Sequence, residues 1–248
     1  FDLRGLPRIA GVDPRNDAIT CFDPLPLYIQ KLTTLVPPES LQSLRVAIDA
    51  GNGMGGYVTP SLFKTLPVIM HPLFFELDGN FPNHEANPIV AENLSALITL
   101  VKSSQSDIGI AYDGDADRAG VVDERGNMIP GDILTALLAR ELLKSHSGAT
   151  ILYDVRGSRT VKEVVEKAGG HAEMTRVGHS FIKQNMKQTG AIFAGELSGH
   201  FYYNEFNRHE SGDYTTLLLL KMLSETRKPL SEMVAEISRY FHSGEINF

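Results

Sequence analysis

The sequence predicts an α/β protein of two tandem domains, each a mixed, mostly parallel sheet covered by helices. Three observations predict it. Short apolar runs with strand character alternate with stretches of helical period, as in parallel sheets wrapped by helices. The alternation breaks at Ser147-Gly148 and restarts in the same order. In each half the third strand runs into a polar string containing glycine, Asp113–Arg118 in the first and Glu196–His200 in the second. A length of 248 residues suits two domains, each able to bury a core.

The elements follow in chain order. Residues 1–24 bear prolines at irregular spacing and read as a connecting or residual segment. Residues 25–146 form the first domain. Leu25–Leu35 reads as a helix, stopped by Pro37-Pro38. "LRVAID" is a strand, "GNGMGG" a glycine-rich turn and Tyr57–Thr65 a helix. "PLFFEL" (Pro72–Leu77) reads as the second strand. "VAENLSALITLVKSSQ" places Leu94, Leu97, Ile98 and Val101 on one helical face. "DIGIAY" is the third strand, and "AGVVDERGNMI" a hairpin turning at Glu124–Asn127. "GDILTALLARELLKS" is a helix with Asp132 as its expected N-cap. The second domain spans residues 147–242. It repeats the order: strand "TILYDV", turn "RGS", helix Arg159–Lys167, strand "HAEMTRV", helix "HSFIKQNMKQ", strand "AIFA" and loop "GELSGH". Two helices, "DYTTLLLLKMLSE" and "LSEMVAEISRYF", complete it, with His209, Glu210 and Asp213 expected at a helix entry capped by Ser211 or Asp213. Residues 243–248 read as the start of a linker. The first residue is Phe1, not Met, and both ends read as cut.

Composition narrows the function. A net charge of −7 disfavours a nucleic-acid partner. Residues 25–146 carry 8 Lys and Arg against 14 Asp and Glu, and residues 147–242 carry 12 against 11. An acidic half beside a more basic half suits a divalent cation on one side and an anion on the other; chance variation between two surfaces gives the same numbers. The single cysteine, Cys21, precludes a disulfide within the chain and receives no role. No apolar run approaches 20 residues and no signal peptide is visible, so the expectation is a cytoplasmic protein without a membrane partner.

Asp113, Asp115 and Asp117 alternate at the end of a strand and precede Arg118. If the chain curls at Gly114 the three carboxylates converge, and an all-oxygen donor set suits a hard cation such as Mg2+. A solvated acidic turn is the plain alternative. An EF-hand loop fits Asp113, Asp115, Asp117 and Glu124, but Arg118 stands where that loop needs glycine, and strands flank it. A dehalogenase-type phosphatase shares the Asp-x-Asp at a strand end but not the residues that follow. "GNGMGG" with Glu76 imitates a dinucleotide fingerprint. The preferred reading is a tight turn whose backbone is bonded by Asp49 and Asn52.

In "GELSGH", Glu196, Ser198 and His200 share one face of an extended loop, as polyol recognition needs. A glycine-rich turn with a satisfied histidine is the alternative. It is not a nucleophile elbow, because Glu196 replaces the required glycine. His179 follows Gly178 at a helix start, where the dipole favours anions and a neutral imidazole could move a proton. A capping role would look the same. Arg156 and Arg159 lie past a strand's end, within reach of a phosphate.

Together "DGDADR", "VGHSFIK" and "GELSGH", in this order across two α/β halves, resemble the α-D-phosphohexomutases, and within them the phosphomannomutase/phosphoglucomutase subgroup. "FPNHEANPIVAENL" (Phe81–Leu94) is also similar to that family. The resemblance covers roughly Asp49 to Phe248. It implies the middle two of four domains, II and III. The phosphoserine loop of domain I and the phosphate-binding loop of domain IV do not occur in this sequence. It implies that Asp113, Asp115 and Asp117 bind Mg2+, the absent phosphoserine completing the site. Arg118 would meet phosphoserine or phosphosugar, and Glu196 and Ser198 the sugar hydroxyls at carbons 3 and 4. His200 would lie beside the reacting oxygen, Gly178 at the substrate, and His179 would transfer a proton. Arg156 stands where many relatives have Lys, so it would position phosphate without acting as a base. Ala116 replaces a common glycine, a change tolerable at negative φ. Leu197 points weakly to a hexose, glucose or mannose. The implied whole is an isomerase that passes through a bisphosphorylated sugar; the chain alone would be inactive and bind Mg2+ weakly. A stand-alone phosphosugar-binding module and a Mg-dependent phosphatase are the alternatives.

Overall fold

The computed structural model describes residues 22–240. Most of the expected connecting segment with Cys21, and the linker start at 243–248, lie outside them. The first unit contains α1 (Leu25–Leu35), β1 (Arg45–Asp49), α2 (Gly55–Phe63), β2 (Ile69–Leu73), α3 (Ser95–Ser104), β3 (Ile108–Tyr112), β4 (Ala119–Asp123), β5 (Met128–Ile129) and α4 (Gly131–Leu143). The second contains β6 (Thr150–Asp154), α5 (Arg159–Lys167), β7 (His171–Thr175), α6 (His179–Thr189), β8 (Phe193–Gly195), β9 (Phe201–Tyr203), β10 (His209–Glu210), α7 (Gly212–Thr226) and α8 (Leu230–Ile237).

Both sheets have five strands and one topology. The orders are β2-β1-β3-β4-β5 and, read from the other edge, β7-β6-β8-β9-β10. In each, the first three strands in sequence are parallel and the last two are added antiparallel. The repeat read from the sequence is therefore a structural one.

Strand period places alternate residues on opposite faces. In the first sheet Ala47, Ala111 and Val122 face α3, while Val46, Ile48, Ile108, Ile110, Tyr112 and Val121 face the interior. In the second sheet Leu152, Ala194 and Tyr202 face α6, and Ile151, Tyr153, Phe193, Phe201 and Tyr203 face inward. The two inward faces belong to one continuous core, filled by α4 and α7. Both helices are buried nearly all round, which fits their apolar runs "ILTALLA" and "LLLL". Each fully buried leucine contributes about 2 kcal/mol. A break at Ser147-Gly148 assigns α4 to the first unit, yet α4 packs on α5, β8 and β6 of the second.

Several local expectations are corrected. The second strand is Ile69–Leu73 and not Pro72–Leu77, because Phe74 takes a left-handed φ of 53° and ends the pleat. Pro72 is tolerated there since β2 is an edge strand. The N-cap of α4 is Pro130; Asp132 sits inside the first turn, where its Oδ1 accepts from Ile133 N and its Oδ2 from Ser158 N. His209 and Glu210 form β10 instead of a helix entry, and Ser211 caps α7 by accepting from Tyr214 N. The short β9 was hidden in the sequence by its three consecutive aromatic residues, which show no alternation.

Candidate active site

The carboxyl ends of both sheets meet at one place. Arg118 and His200 form an antiparallel β-bridge, and Ala119 N donates to Gly199 O at 3.3 Å. The loop after β3 is thereby joined through its backbone to the loop after β8. Each loop is buttressed by a helix that follows the other sheet in the chain. Gly131, at the start of α4, lies so close to the second loop that a Cβ would sit 2.5 Å from Leu197 O. Gly212, at the start of α7, lies equally close to the first, 2.7 Å from Ala116 O. Larger residues at either position would push the loop away.

Asp113, Asp115 and Asp117 converge as the sequence predicts: ligand oxygens of the three lie within 4.8 Å of one another. Asp113 is buried, Asp117 half-buried and Asp115 exposed. Asp113 Oδ2 accepts from Arg118 Nε at 2.7 Å and its Oδ1 from Arg118 N at 3.1 Å. Burial, then the carboxylates of Asp113 and Asp115, push Asp117 up to about 7. A divalent cation relieves that repulsion, and the donor set fits a hard one such as Mg2+. Ala116 has φ of 63°, so the condition under which alanine replaces glycine without cost is not met: the turn between the second and third aspartates is left-handed. The glycine-rich turn packs against this loop, Met54 N donating to Gly114 O at 2.9 Å. Asp49 Oδ1 accepts from Gly51 N, as expected of the turn. Asn52 instead reaches outward, its Nδ2 donating to Glu76 O. Glu76 lies beyond β2, which removes the dinucleotide reading.

In the second loop Glu196 is buried and fully engaged. Its Oε1 accepts from Gly178 N at 3.2 Å, and its Oε2 from Tyr202 Oη at 2.5 Å. Ser198 Oγ and His200 Nδ1 are 2.9 Å apart, and His200 Nε2 stands 3.5 Å from Asp117 Oδ1. Burial holds His200 below the ordinary imidazole range, Glu196 opposing and Arg118 reinforcing the shift. A neutral ring that accepts from Ser198 at Nδ1 presents Nε2–H to Asp117. Arg156 pairs with Asp154, Nη2 to Oδ2 at 2.7 Å, and stands 3.9 Å from Glu196 Oε1. His179, the first residue of α6, is exposed, and its side chain makes no hydrogen bond or ion pair among the described residues.

The structure thus gathers Asp113, Asp115, Asp117, Arg118, Glu196, Ser198 and His200. Gly178 and Arg156 lie around Glu196, and His179 lies at the rim. Residues that sequence reasoning missed are Asp154, Tyr202 and Asn87. Asp154 Oδ2 accepts from Leu197 N at 2.8 Å and so fixes the second loop. Its signal was available: Asp49 and Asp154 both end the first strand of their repeat, and both accept from the backbone N–H two residues on.

Sequence comparison agrees with this geometry. The family model described as phosphoglucomutase/phosphomannomutase, alpha/beta/alpha domain II, matches residues 26–126, and that for domain III matches residues 130–240. The chain is 50% identical over 206 residues to a phosphomannomutase of Methanocaldococcus jannaschii, covering 82% of this chain and 45% of the relative. It is 37% identical over 226 residues to a phosphomannomutase/phosphoglucomutase of Pseudomonas aeruginosa, covering 91% of this chain and 48% of that one. A crystal structure of a phosphoglucomutase/phosphomannomutase family protein from Burkholderia thailandensis superposes with a TM-score of 0.82 at 36% identity, over 88% of this chain and 47% of that one. The chain spans about half the length of the relatives it matches. Its two sheets, its joined loops and these matches show that the chain belongs to the phosphoglucomutase/phosphomannomutase family, of which it carries domains II and III.

Proposed function

We propose that this chain is the middle of a phosphohexomutase that interconverts hexose 1-phosphate and hexose 6-phosphate, with glucose or mannose phosphates as substrates. The single observation that carries the proposal is the Arg118–His200 bridge, which joins the three-aspartate loop to the Glu196–His200 loop. Asp113, Asp115 and Asp117 hold Mg2+, which when bound stabilises negative charge on a transferring phosphoryl group. Arg118 donates to a phosphate on phosphoserine or sugar. Glu196 and Ser198 accept and donate to sugar hydroxyls, so Glu196 exchanges part of its bonding with Gly178 N and Tyr202 for the ligand. His200, neutral by burial, exchanges a proton at the reacting oxygen, and His179 is a second proton carrier at the rim. Arg156 positions a phosphate. The phosphoserine that starts and ends the cycle, through a bisphosphorylated sugar, is supplied by domain I, and domain IV supplies further phosphate contacts. No helix among the described residues is long and apolar enough to cross a membrane.

The test is to assay the purified chain with glucose 1-phosphate and Mg2+. No formation of glucose 6-phosphate is expected from the chain alone. Isomerisation by the chain alone overturns its dependence on other domains, and Mg-dependent release of inorganic phosphate shows a phosphatase instead.

A further inference from the structure

The segment "FPNHEANP" (Phe81–Pro88) has no task in the reading above. It lies between β2 and α3 and is tied down along its length. Asn83 Nδ2 donates to Asn52 Oδ1 at 2.8 Å. His84 Nε2 lies 2.9 Å from Oδ2 of the fully buried Asp49, and His84 Nδ1 lies 2.8 Å from Glu85 O. Asn93 Nδ2 donates to Asn87 O at 3.0 Å. At the end of this anchored stretch, Asn87 Oδ1 accepts from Arg118 Nη1 at 3.1 Å.

We propose that Asn87 is a positioning residue for Arg118. A guanidinium on a long flexible stem, held at one nitrogen, turns about its remaining torsions. Arg118 is held at two, Nε on Asp113 and Nη1 on Asn87, and two fixed points on a rigid fork set its plane. Nη2, which has no partner among the described residues, is left as the donor for an incoming anion. The side chain stays partly exposed, at 21%, so an anion can reach it. The chemical consequence is that Asp113 alone does not orient Arg118; the neutral amide does so without adding charge to an acidic loop. This inference rests on the reading of Arg118 as an anion-binding group.

The experiment is side-chain NMR of the 15N-arginine-labelled chain, with Arg118→Lys assigning the signal. Rotation about the Cζ–Nη bonds of Arg118 is expected to be slow in the parent. In Asn87→Leu, which keeps shape but loses the acceptor, it should become on the order of tenfold faster, the effect of losing one charge-assisted hydrogen bond. In Asn87→Asp, which keeps an acceptor oxygen, it should stay slow. Equal rates in the parent and in a folded Asn87→Leu, checked by its thermal transition, overturn the proposal. Should Asn87→Leu not fold, Asn87→Ser, too short to reach the guanidinium, replaces it with the same expectations. A glucose 1-phosphate titration is the second arm. The NMR contrast without any shift of the Arg118 signal by sugar phosphate counts against the proposed function and leaves the clamp standing.

Discussion

After its third strand the first sheet carries three carboxylates with one guanidinium among them. At the same place the second sheet carries one carboxylate, Glu196, whose oxygens are taken by a backbone N–H and a tyrosine hydroxyl. One loop concentrates like charge that its own side chains do not neutralise; the other satisfies its charge by hydrogen bonding. The first offers the all-oxygen donor set that suits a hard cation; in the proposed function the second holds its shape until a polyol displaces a bond. The same βαβαβ frame thus presents two unlike loops, and the difference lies in six residues at each strand end.

Substitutions at the two loops break or sharpen this contrast. The largest effect is expected for Asp113→Ala, which removes a ligand and the anchor of Arg118 together. Mg2+ or Mn2+ affinity, measured by calorimetry, should fall about a hundredfold or more, because oxygen sites are tuned by ligand charge. Glu196→Gln should leave metal affinity within about threefold. Equal losses from both would show that the loops are not separate in function. Next comes stability. Glu196→Ala leaves the buried Tyr202 hydroxyl and Gly178 N–H without partners, at a cost of about 2–3 kcal/mol in urea unfolding. Asp115→Ala, at an exposed position that only adds to the repulsion, should be neutral or stabilising by about 0.5 kcal/mol. A destabilisation by Asp115→Ala as large as that by Glu196→Ala would refute the distinction.

A smaller effect follows from Asp117. Burial and its two neighbours raise its carboxyl to about 7, so below pH 7 a proton occupies a ligand position. Metal binding then requires release of that proton, and affinity should rise with pH by up to about tenfold per unit, levelling off above pH 7. The slope should vanish in Asp117→Asn. The sign for stability is the same physics without metal. A carboxyl raised in the folded state makes folding less favourable as pH rises from about 4 through 7, a loss that bound cation should remove.

The fold was legible where period and punctuation agreed. Helices α1, α5 and α6 and strands β1, β3 and β6 stand within one or two residues of their expected places, since each pairs a clear apolar period with a Gly, Pro or polar stop. The second strand slipped because a run of apolar residues, "LFF", offers no alternation, and a left-handed Phe74 is invisible to pattern. In the site, the aspartates and "GELSGH" were legible because their spacing is local. Asn87 was not, because its partner lies 31 residues away and the sequence carries no sign of such pairing. Asp154 repeats Asp49 at the end of a first strand, but its bond to Leu197, 43 residues on, is not written in that repeat. The support of each loop by a helix that follows the other sheet in the chain was hidden for the same reason: Gly131 and Gly212 read as ordinary helix starts.

The smallest expected effect concerns Ala116, and it isolates how the acidic loop keeps its turn. A left-handed conformation costs a residue with a Cβ about 1–2 kcal/mol. Glycine removes that cost, but it loses about 0.8 kcal/mol of methyl burial and about 0.5–1 kcal/mol in chain entropy. The terms nearly cancel, so Ala116→Gly should change unfolding free energy by less than about 1 kcal/mol. Ala116→Val adds branching at a left-handed φ beside the start of α7, and should cost at least about 2 kcal/mol. It should also weaken Mg2+ binding, because the turn that brings Asp115 and Asp117 together would open. If Ala116→Val unfolds the chain no more readily than Ala116→Gly, the turn is not held by α7, and the support that each half lends to the other's loop would have to be sought elsewhere than at Gly212.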